Sequence, residues 1–378
     1  MDLKLTEEQE MLKTSVKDFI AAECPKSKVR EMQEDRVGHS PELWKKMAAL
    51  GWMGLLIPEK YEGMGLSFQD GMVVMEEMGR NILPGPFMST FVATFAIVEA
   101  GSEAQKKEFL PKIARGEMKL SLADMEPNGK FGAGGVTLKA APKGDGFVLN
   151  GAKMFVEMAN VADYLVCPAR TKEGANSEEG ISLFLVDMKS PGILCEVVPT
   201  IAMDKLCEVK FENVSILHQA LLGEKDRGGV ALKNTLRKAA LARCADSIGG
   251  MQACIDMTVA YMKERVQYER PIGAFQAIQH IVADTWIAMQ TARYLAYEAI
   301  WLESGGQPAD KEASMSKAYV NNAYKLVSKW GIRLHGGIGT SREHDVSLYY
   351  LRAKAADTAY GGADYHNELV ADKIGLVK

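Results

Sequence analysis

Between residues 120 and 224 the chain changes its hydrophobic rhythm, and no other feature of the sequence bounds the fold so tightly. Short apolar stretches, GFVLNG (146–151), ADYLVCPA (162–169), ISLFLVDM (181–188) and EVKFENV (208–214), follow one another at close spacing. Each is bounded by Gly, Pro, Asn or Asp, the punctuation of strands. No helical period separates them, so they predict a central antiparallel β-domain over 120–224.

On either side, apolar residues recur at helical spacing. Thr6 to Gln9 has the form of a capping box and opens a first helix. Ser40 and Pro41 open another, with Leu43, Met47 and Leu50 on one face and Gly51 at its end. After a glycine-rich loop at 58–65 the period resumes through GMVVMEEMGR, and a last helix runs into a break at Pro111. These predict an N-terminal helical domain, 1–119. From Arg227 onward long helical stretches reach Lys263, cover 283–302 and cover 313–333, lengths that suit a C-terminal four-helix bundle over 225–378. The expected fold is therefore α+β and multidomain, since 378 residues exceed one compact helical core.

A net charge of −4, with Lys and Arg spread along the chain, gives no electrostatic reason to expect nucleic acid. No apolar run approaches the ~20 residues that span a bilayer, and the polar start MDLKLTEEQE is unlike a secretory signal, so no membrane association and a cytoplasmic location are expected. The six cysteines show no CxxC pair and no metal-ligand spacing with histidine, which predicts buried reduced thiols.

Two C-terminal segments carry a resemblance. RVQYERPIGAFQAIQH (265–280) is similar to the R-x-x-F-G-(x)6-Q stretch of the acyl-CoA dehydrogenase family, with Arg265 and Gln276 at its ends and Tyr268 as the aromatic. GIRLHGGIGTSREHDVSLYYLRAKA (331–355) is similar to the family's Q-x-x-G-G-x-G segment, with Arg333 in place of the glutamine. The resemblance implies FAD as cofactor, its pyrophosphate and adenosine held across a subunit interface by Arg265, Gln267, Tyr268, Phe275, Gln276, Arg333, Gly336 and Gly337. A guanidinium suits a pyrophosphate because its planar fork donates two hydrogen bonds, and glycines let a backbone approach a phosphate. Alone, HGGIG is weak, because it follows a helix where a Rossmann phosphate loop follows a strand. His335 beside it has no visible base or metal partner, so packing is its expected role.

In the β-domain, SLADMEPNG (121–129) and NGAKMFVEMANVADYLVCPAR (150–170) resemble the family's two segments that hold the isoalloxazine ring. Leu122, Asp124, Met125, Phe155, Val156 and Glu157 are the implied contacts, with Phe155 where a tryptophan is usual and Glu157 where a threonine is usual.

The family's reaction is α,β-desaturation of a CoA thioester: a base takes the α-proton and the flavin takes the β-hydride. In DTAYGGADYH the position of the family's catalytic glutamate falls on Gly361, after the aromatic Tyr360, so the backbone N–H that polarises the thioester survives and the carboxylate does not. The alternative glutamate site of some members falls on Ala239. Arg237, Ala239, Arg243 and Tyr360 are the implied substrate contacts. Arg243 and Asp246 share a helix face with Ala239 at i, i+4 and i, i+7, as a surface or interface pair or, for Arg243, as a partner for an anionic acyl tail. Asp246 and Glu157 are the candidates for a displaced base. A carboxylate restored by Gly361→Glu is expected to raise activity on unbranched acyl-CoAs.

Three functions follow as expectations. The first is an FAD-dependent dehydrogenase of a branched, cyclic or carboxylated acyl-CoA that passes electrons to an electron-transfer flavoprotein. The second is a non-catalytic, cofactor-binding subunit of a hetero-oligomer. The third is other flavin chemistry, oxidase or elimination, on the same fold. Either a homotetramer or a heterotetramer with a homologous chain is the expected assembly.

Overall fold

The computed structural model describes residues 4–172 and 178–376. In chain order the described residues form α1 (Glu7–Glu23), α2 (Lys26–Glu34), α3 (Pro41–Ala49), α4 (Phe68–Asn81), α5 (Phe87–Ala100) and α6 (Glu103–Ala114). Strands β1 (Leu120–Leu122), β2 (Lys139–Lys143), β3 (Gly146–Glu157), β4 (Tyr164–Arg170), β5 (Ile181–Asp187), β6 (Ile193–Val198), β7 (Leu206–Leu217) and β8 (Leu221–Leu222) follow. The rest is α7 (Gly228–Glu264), a hairpin of β9 (Val266–Gln267) and β10 (Arg270–Pro271), then α8 (Gln276–Ser304), α9 (Asp310–His335), α10 (Val346–Thr358) and α11 (Ala363–Lys373). Helical ends flank a β-domain, the α+β fold read from the sequence. No helix among the described residues is long and apolar enough to cross a membrane.

By its contacts the chain forms two compact units. One holds residues up to 30, 67–83 and 240 onward, and the other holds 31–66 and 84–239. Helices of the N-terminal region are thus shared out, α1 and α4 to the first unit and α3, α5 and α6 to the second.

In the second unit the sheet runs β6-β7-β3-β2-β4-β5-β8, with β1 added on β4. Most pairs are antiparallel, as the alternation of short strands requires, while β1 and the end of β2 meet β4 in parallel. Leu149, Leu165, Val209 and Phe211 fill the core with Phe147 and Phe184, whose rings meet edge to face at 5.1 Å. Helix α5 is buried from Phe87 through Ile97, so it carries no polar stripe, and only its length distinguishes it from a strand in the sequence. The break expected at Pro111 does not occur, because α6 continues to Ala114. With the proline in the last turn, only one intrahelical bond is lost.

A buried ion pair fixes the segment that precedes β2. Lys153 Nζ on β3 donates to Glu126 Oε1 at 2.7 Å, with the side chains 0% and 2% exposed. Glu126 also accepts from the N–H of Thr137 at 2.9 Å, from the Thr137 hydroxyl and from the N–H of Leu138 at 3.0 Å. Burial alone pushes this carboxyl up, but Lys153 and the donors of Thr137 and Leu138 outweigh it and hold it below the usual carboxylate range. Lys153→Met strands the carboxylate and is expected to cost about 3–5 kcal/mol in urea unfolding at pH 7. The contribution of Glu126 is present above its unfolded value of about 4.3 and is lost as pH falls through its depressed folded value. The parent therefore loses this increment in acid, and the Lys153→Met protein, measured from pH 7 down to pH 3, should lose less.

In the first unit Thr6 and Gln9 form the expected capping box, and Gln9 Nε2 also reaches Asp70 Oδ1 at 2.8 Å, inside the Ser67 capping box of α4. Helices α4 and α7 cross on glycine. A Cβ at Gly79 would lie 1.9 Å from the Asp246 carbonyl oxygen, and one at Gly249 would lie 1.8 Å from that of Glu76. Neither position admits a side chain.

Candidate functional site

The two β-domain segments expected to meet the flavin ring are tied together by hydrogen bonds to backbone carbonyls. Met154 N–H donates to Met125 O at 2.9 Å, and Ser121 Oγ donates to Glu157 O at 2.6 Å. Between those bonds the register of β3 on β7 shifts, from Lys153 to Val156, and Phe155 sits in the bulge at φ +55°. Phe155 is 49% exposed and so not a core aromatic, while Val156 and Leu122 are buried. Asp124, two residues past the end of β1, has its carboxyl pushed up to about 6 by burial. Glu157 closes β3 and is partly buried.

In the helical unit Arg265, Gln267, Tyr268 and Gln276 are all exposed, Tyr268 to 87%, and the hairpin turns through left-handed Tyr268 and Glu269. Partly buried Phe275 meets the Tyr268 ring edge to face at 6.1 Å and carries Arg270 over its own ring at 4.2 Å. The HGGIG segment does follow a helix, α9, and continues as a 3-10 turn over Gly336–Thr340. Arg333 is exposed, with its guanidinium 4.6 Å from the centre of the Trp330 ring. His335 has the packing role expected of it: its ring stacks on Tyr261 at 4.5 Å, and Nδ1 lies 2.7 Å from Gly331 O. Since Tyr261 O also accepts the Arg265 N–H at 2.8 Å, this stack joins the arginine segment to the glycine segment.

These residues fit FAD on three observations. Phe155 offers an apolar ring at the surface of the sheet, built there by a strained backbone. Gly336 takes φ +65°, which asks for glycine, whereas a Cβ at Gly337 would meet nothing within 4 Å among the described residues, and the room left there suits a close anionic ligand. The Arg265 hairpin is exposed throughout, as a segment serving a neighbouring subunit must be. Arg265→Ala is expected to lower the flavin content of the purified protein at least several-fold, read from the ratio of visible to protein absorbance; unchanged content removes Arg265 from the cofactor site.

The substrate residues divide. Arg237 is partly buried and donates to Asn234 Oδ1 at 2.9 Å, and Ala239 is fully buried on the same helix. Further along α7, Arg243 and Asp246 are 4% and 3% exposed, not the surface pair that i, i+3 spacing suggests. Their contact is long, 3.4 Å. The principal partner of Asp246 is Arg352 of α10, which donates from Nη2 at 2.8 Å and Nε at 3.3 Å, a two-point pairing invisible to helix periodicity. Burial raises the Asp246 carboxyl, but Arg352 and Arg243 outweigh it and keep it below the usual range, the wrong direction for a proton acceptor. Asp246→Asn is expected to cost about 3–5 kcal/mol in urea unfolding at neutral pH, because the two arginines keep their charge and lose its partner.

At the far end of this cluster the Arg243 guanidinium lies 6.0 Å from the centre of the Tyr360 ring. Tyr360 (φ +58°) and Gly361 (φ +108°) form the turn between α10 and α11, and the Gly361 N–H donates to Thr358 O at 3.3 Å. Two residues that sequence reasoning missed brace the turn from α9. Lys317, fully buried and with its amine brought down to about 8 by burial, donates to Ala356 O at 2.9 Å and to Asn321 Oδ1 at 2.6 Å. Asn321 Nδ2 donates to Asp357 O at 2.9 Å and Gly361 O at 3.4 Å. A lysine and an asparagine four apart on a helix read as a solvated face, and only the packing shows otherwise. The gain expected from Gly361→Glu meets an obstacle: a Cβ at 361 would lie 2.5 Å from His366 Nε2.

The fold and site together define a flavin-binding oxidoreductase built as helices, β-domain and helices. Family models for the acyl-CoA dehydrogenase N-terminal, middle and C-terminal domains match residues 6–117, 121–214 and 226–375. The short/branched chain specific acyl-CoA dehydrogenase of Bos taurus is 32% identical, over 94% of this chain and 83% of its own. The caffeyl-CoA reductase-Etf complex subunit CarC of Acetobacterium woodii is 30% identical, over 99% of both chains. Among solved structures, a chain of the ChsE4-ChsE5 complex from Mycobacterium tuberculosis superposes with a TM-score of 0.91 at 25% identity, over 100% of both. This chain belongs to the acyl-CoA dehydrogenase family; it is an FAD-dependent oxidoreductase acting on acyl-CoA.

Proposed function

We propose that this chain performs α,β-desaturation of an acyl-CoA whose acyl group is branched, cyclic or carboxylated, and passes the electrons to an electron-transfer flavoprotein. The observation that carries this reading is the Phe155 platform, an exposed aromatic held at a bulge beside the Met125–Met154 backbone bond. FAD, when bound, supplies the two-electron redox chemistry, with Leu122, Asp124, Met125, Phe155, Val156 and Glu157 at its ring, and Arg265, Gln267, Tyr268, Phe275, Gln276, Arg333, Gly336 and Gly337 at its phosphates and adenosine. The Gly361 N–H polarises the thioester. Its bond to Thr358 O, at 3.3 Å, is long enough to be exchanged for a thioester oxygen at small cost. Arg243, over Tyr360, favours an acyl tail with an anionic end. Glu157 is the acceptor for the α-proton, and Asp246 positions Arg243. The CarC relative, named as part of a complex with Etf, supports the choice of electron acceptor.

A second reading is favoured by a specific observation. With His366 in the room beside Gly361, the chain suits a cofactor-binding subunit whose homologous partner carries the carboxylate. The ChsE4-ChsE5 complex, of two named chains, supports such pairing. So does a bare row on α8, Trp286, Ile287, Tyr294 and Trp301, spaced at about seven residues and 39–61% exposed.

One experiment separates the two. The chain is purified alone and with its co-purifying partners, and each preparation is titrated anaerobically with butyryl-CoA, isobutyryl-CoA and succinyl-CoA. Flavin bleaching by the chain alone, abolished by Glu157→Gln, supports the first reading. Bleaching only in the presence of a homologous chain supports the second and removes Glu157 as the base.

A further inference from the structure

Three observations meet at the turn between α10 and α11. Tyr360 and Gly361 both lie at positive φ, and such a turn persists only when its surroundings hold it. A side chain beginning at Gly361 would run into α11: its Cβ would stand 2.5 Å from His366 Nε2, 2.7 Å from Tyr365 Cδ1 and 2.9 Å from His366 Cδ2. The same Nε2 lies 3.0 Å from the Tyr360 carbonyl oxygen. His366 is 5% exposed, and its Nδ1 is buried with no hydrogen-bond partner among the described residues.

The chemistry of the ring follows. Burial brings the imidazole down to about 4, further than the Tyr360 contact raises it, with Lys317 adding to the fall, so the ring is neutral. Facing a carbonyl, Nε2 carries the proton and donates, which leaves Nδ1 as a bare lone pair in a dry place. A leucine would fill this space without stranding an acceptor. What the histidine does that a leucine cannot is hold the Tyr360 carbonyl, and with it the peptide that carries the Gly361 N–H.

We propose that His366 and Gly361 are a mutually exclusive pair: the imidazole, with the edge of the Tyr365 ring beside it, occupies the room that a side chain at 361 requires, and in its place sets the turn that presents the Gly361 N–H. His366 is then a positioning residue, and the absence of a carboxylate at 361 goes with the imidazole that stands five residues on. Restoring the carboxylate requires both positions to change. The functional half of the proposal rests on the reading of Gly361 as the residue that faces the thioester; the packing half does not. Removal of His366 leaves the turn its ties from Lys317 and Asn321, so His366 variants are expected to fold.

The test has two arms. In the first, thermal unfolding midpoints are measured for the parent, Gly361→Ala, His366→Ala and the double variant. Gly361→Ala is expected to lower the midpoint by several degrees in the parent and by less than half as much in the His366→Ala protein, what remains being backbone strain at φ +108° and the contact with the Tyr365 ring. Equal drops in both backgrounds overturn the pair. In the second, affinity for butyryl-CoA is read from the shift of the flavin spectrum. His366→Leu should bind about tenfold more weakly, and His366→Gln, whose amide donor can reach the Tyr360 carbonyl, should recover most of the loss. Equal binding by all three proteins overturns the positioning role.

Flavin bleaching by butyryl-CoA completes the second arm. Gly361→Glu alone should gain nothing, and Gly361→Glu with His366→Ala should exceed His366→Ala at least tenfold, a fraction of the ~10²–10⁴-fold typical of general-base catalysis. A gain by Gly361→Glu alone, in a protein as stable as the parent, overturns the pair. Coupled midpoints without any gain in the double variant leave the pair standing and overturn the placement of Gly361 against the substrate.

Discussion

Asp246 sits where the helical unit can least tolerate an error. Its carbonyl oxygen stands against Gly79, and its carboxylate takes Arg352 from α10 and, more loosely, Arg243 from its own helix. A buried carboxylate of this kind is tolerable only when its counter-charges are close and well directed, and here the two-point contact from Arg352 supplies that. The consequence is positional. Helix α10 is pinned to α7 one turn beyond Arg243, and the turn at the end of α10 inherits its place from that contact.

The turn proposed to face the thioester is held by residues with no chemical step of their own. Lys317 and Asn321 fasten the carbonyls of Ala356, Asp357 and Gly361, and His366 fastens that of Tyr360. Four side-chain ties on the last turn of α10 and the turn after it are costly, since a lysine and a histidine are both buried, with their basicity lowered, to provide them. Structural strain of this sort is normally retained where geometry has to be exact to a fraction of an ångström. In the β-domain Glu126 and Lys153 do comparable work for the segment that precedes β2.

Family membership and local chemistry pull in different directions in this chain. The exposed Phe155, the exposed Arg265 hairpin and the glycines at 336 and 337 suit a flavoprotein, whereas at 361, the position proposed to face the thioester, a glycine stands against a histidine. Fold alone does not decide between a relocated base and a division of labour between homologous chains. The distinction lies in side chains around a single turn.

Much of the architecture was legible in the residues themselves, because periodicity and capping are local. The box at Thr6 and Gln9, the start at Ser40 and Pro41, and the strand texture after residue 120 each need only a few neighbours to be read. The sequence alone also determined that no carboxylate stands at 239 or 361. It could not show that α5 is a helix buried along most of its length, because burial on every face erases the period. Nor could it show that Asp246 answers to Arg352, 106 residues away, that Glu126 answers to Lys153, or that His366 stands in the room of a side chain at 361. Those contacts join residues that share no helix face and no strand register, so only the close packing of the folded chain brought them together.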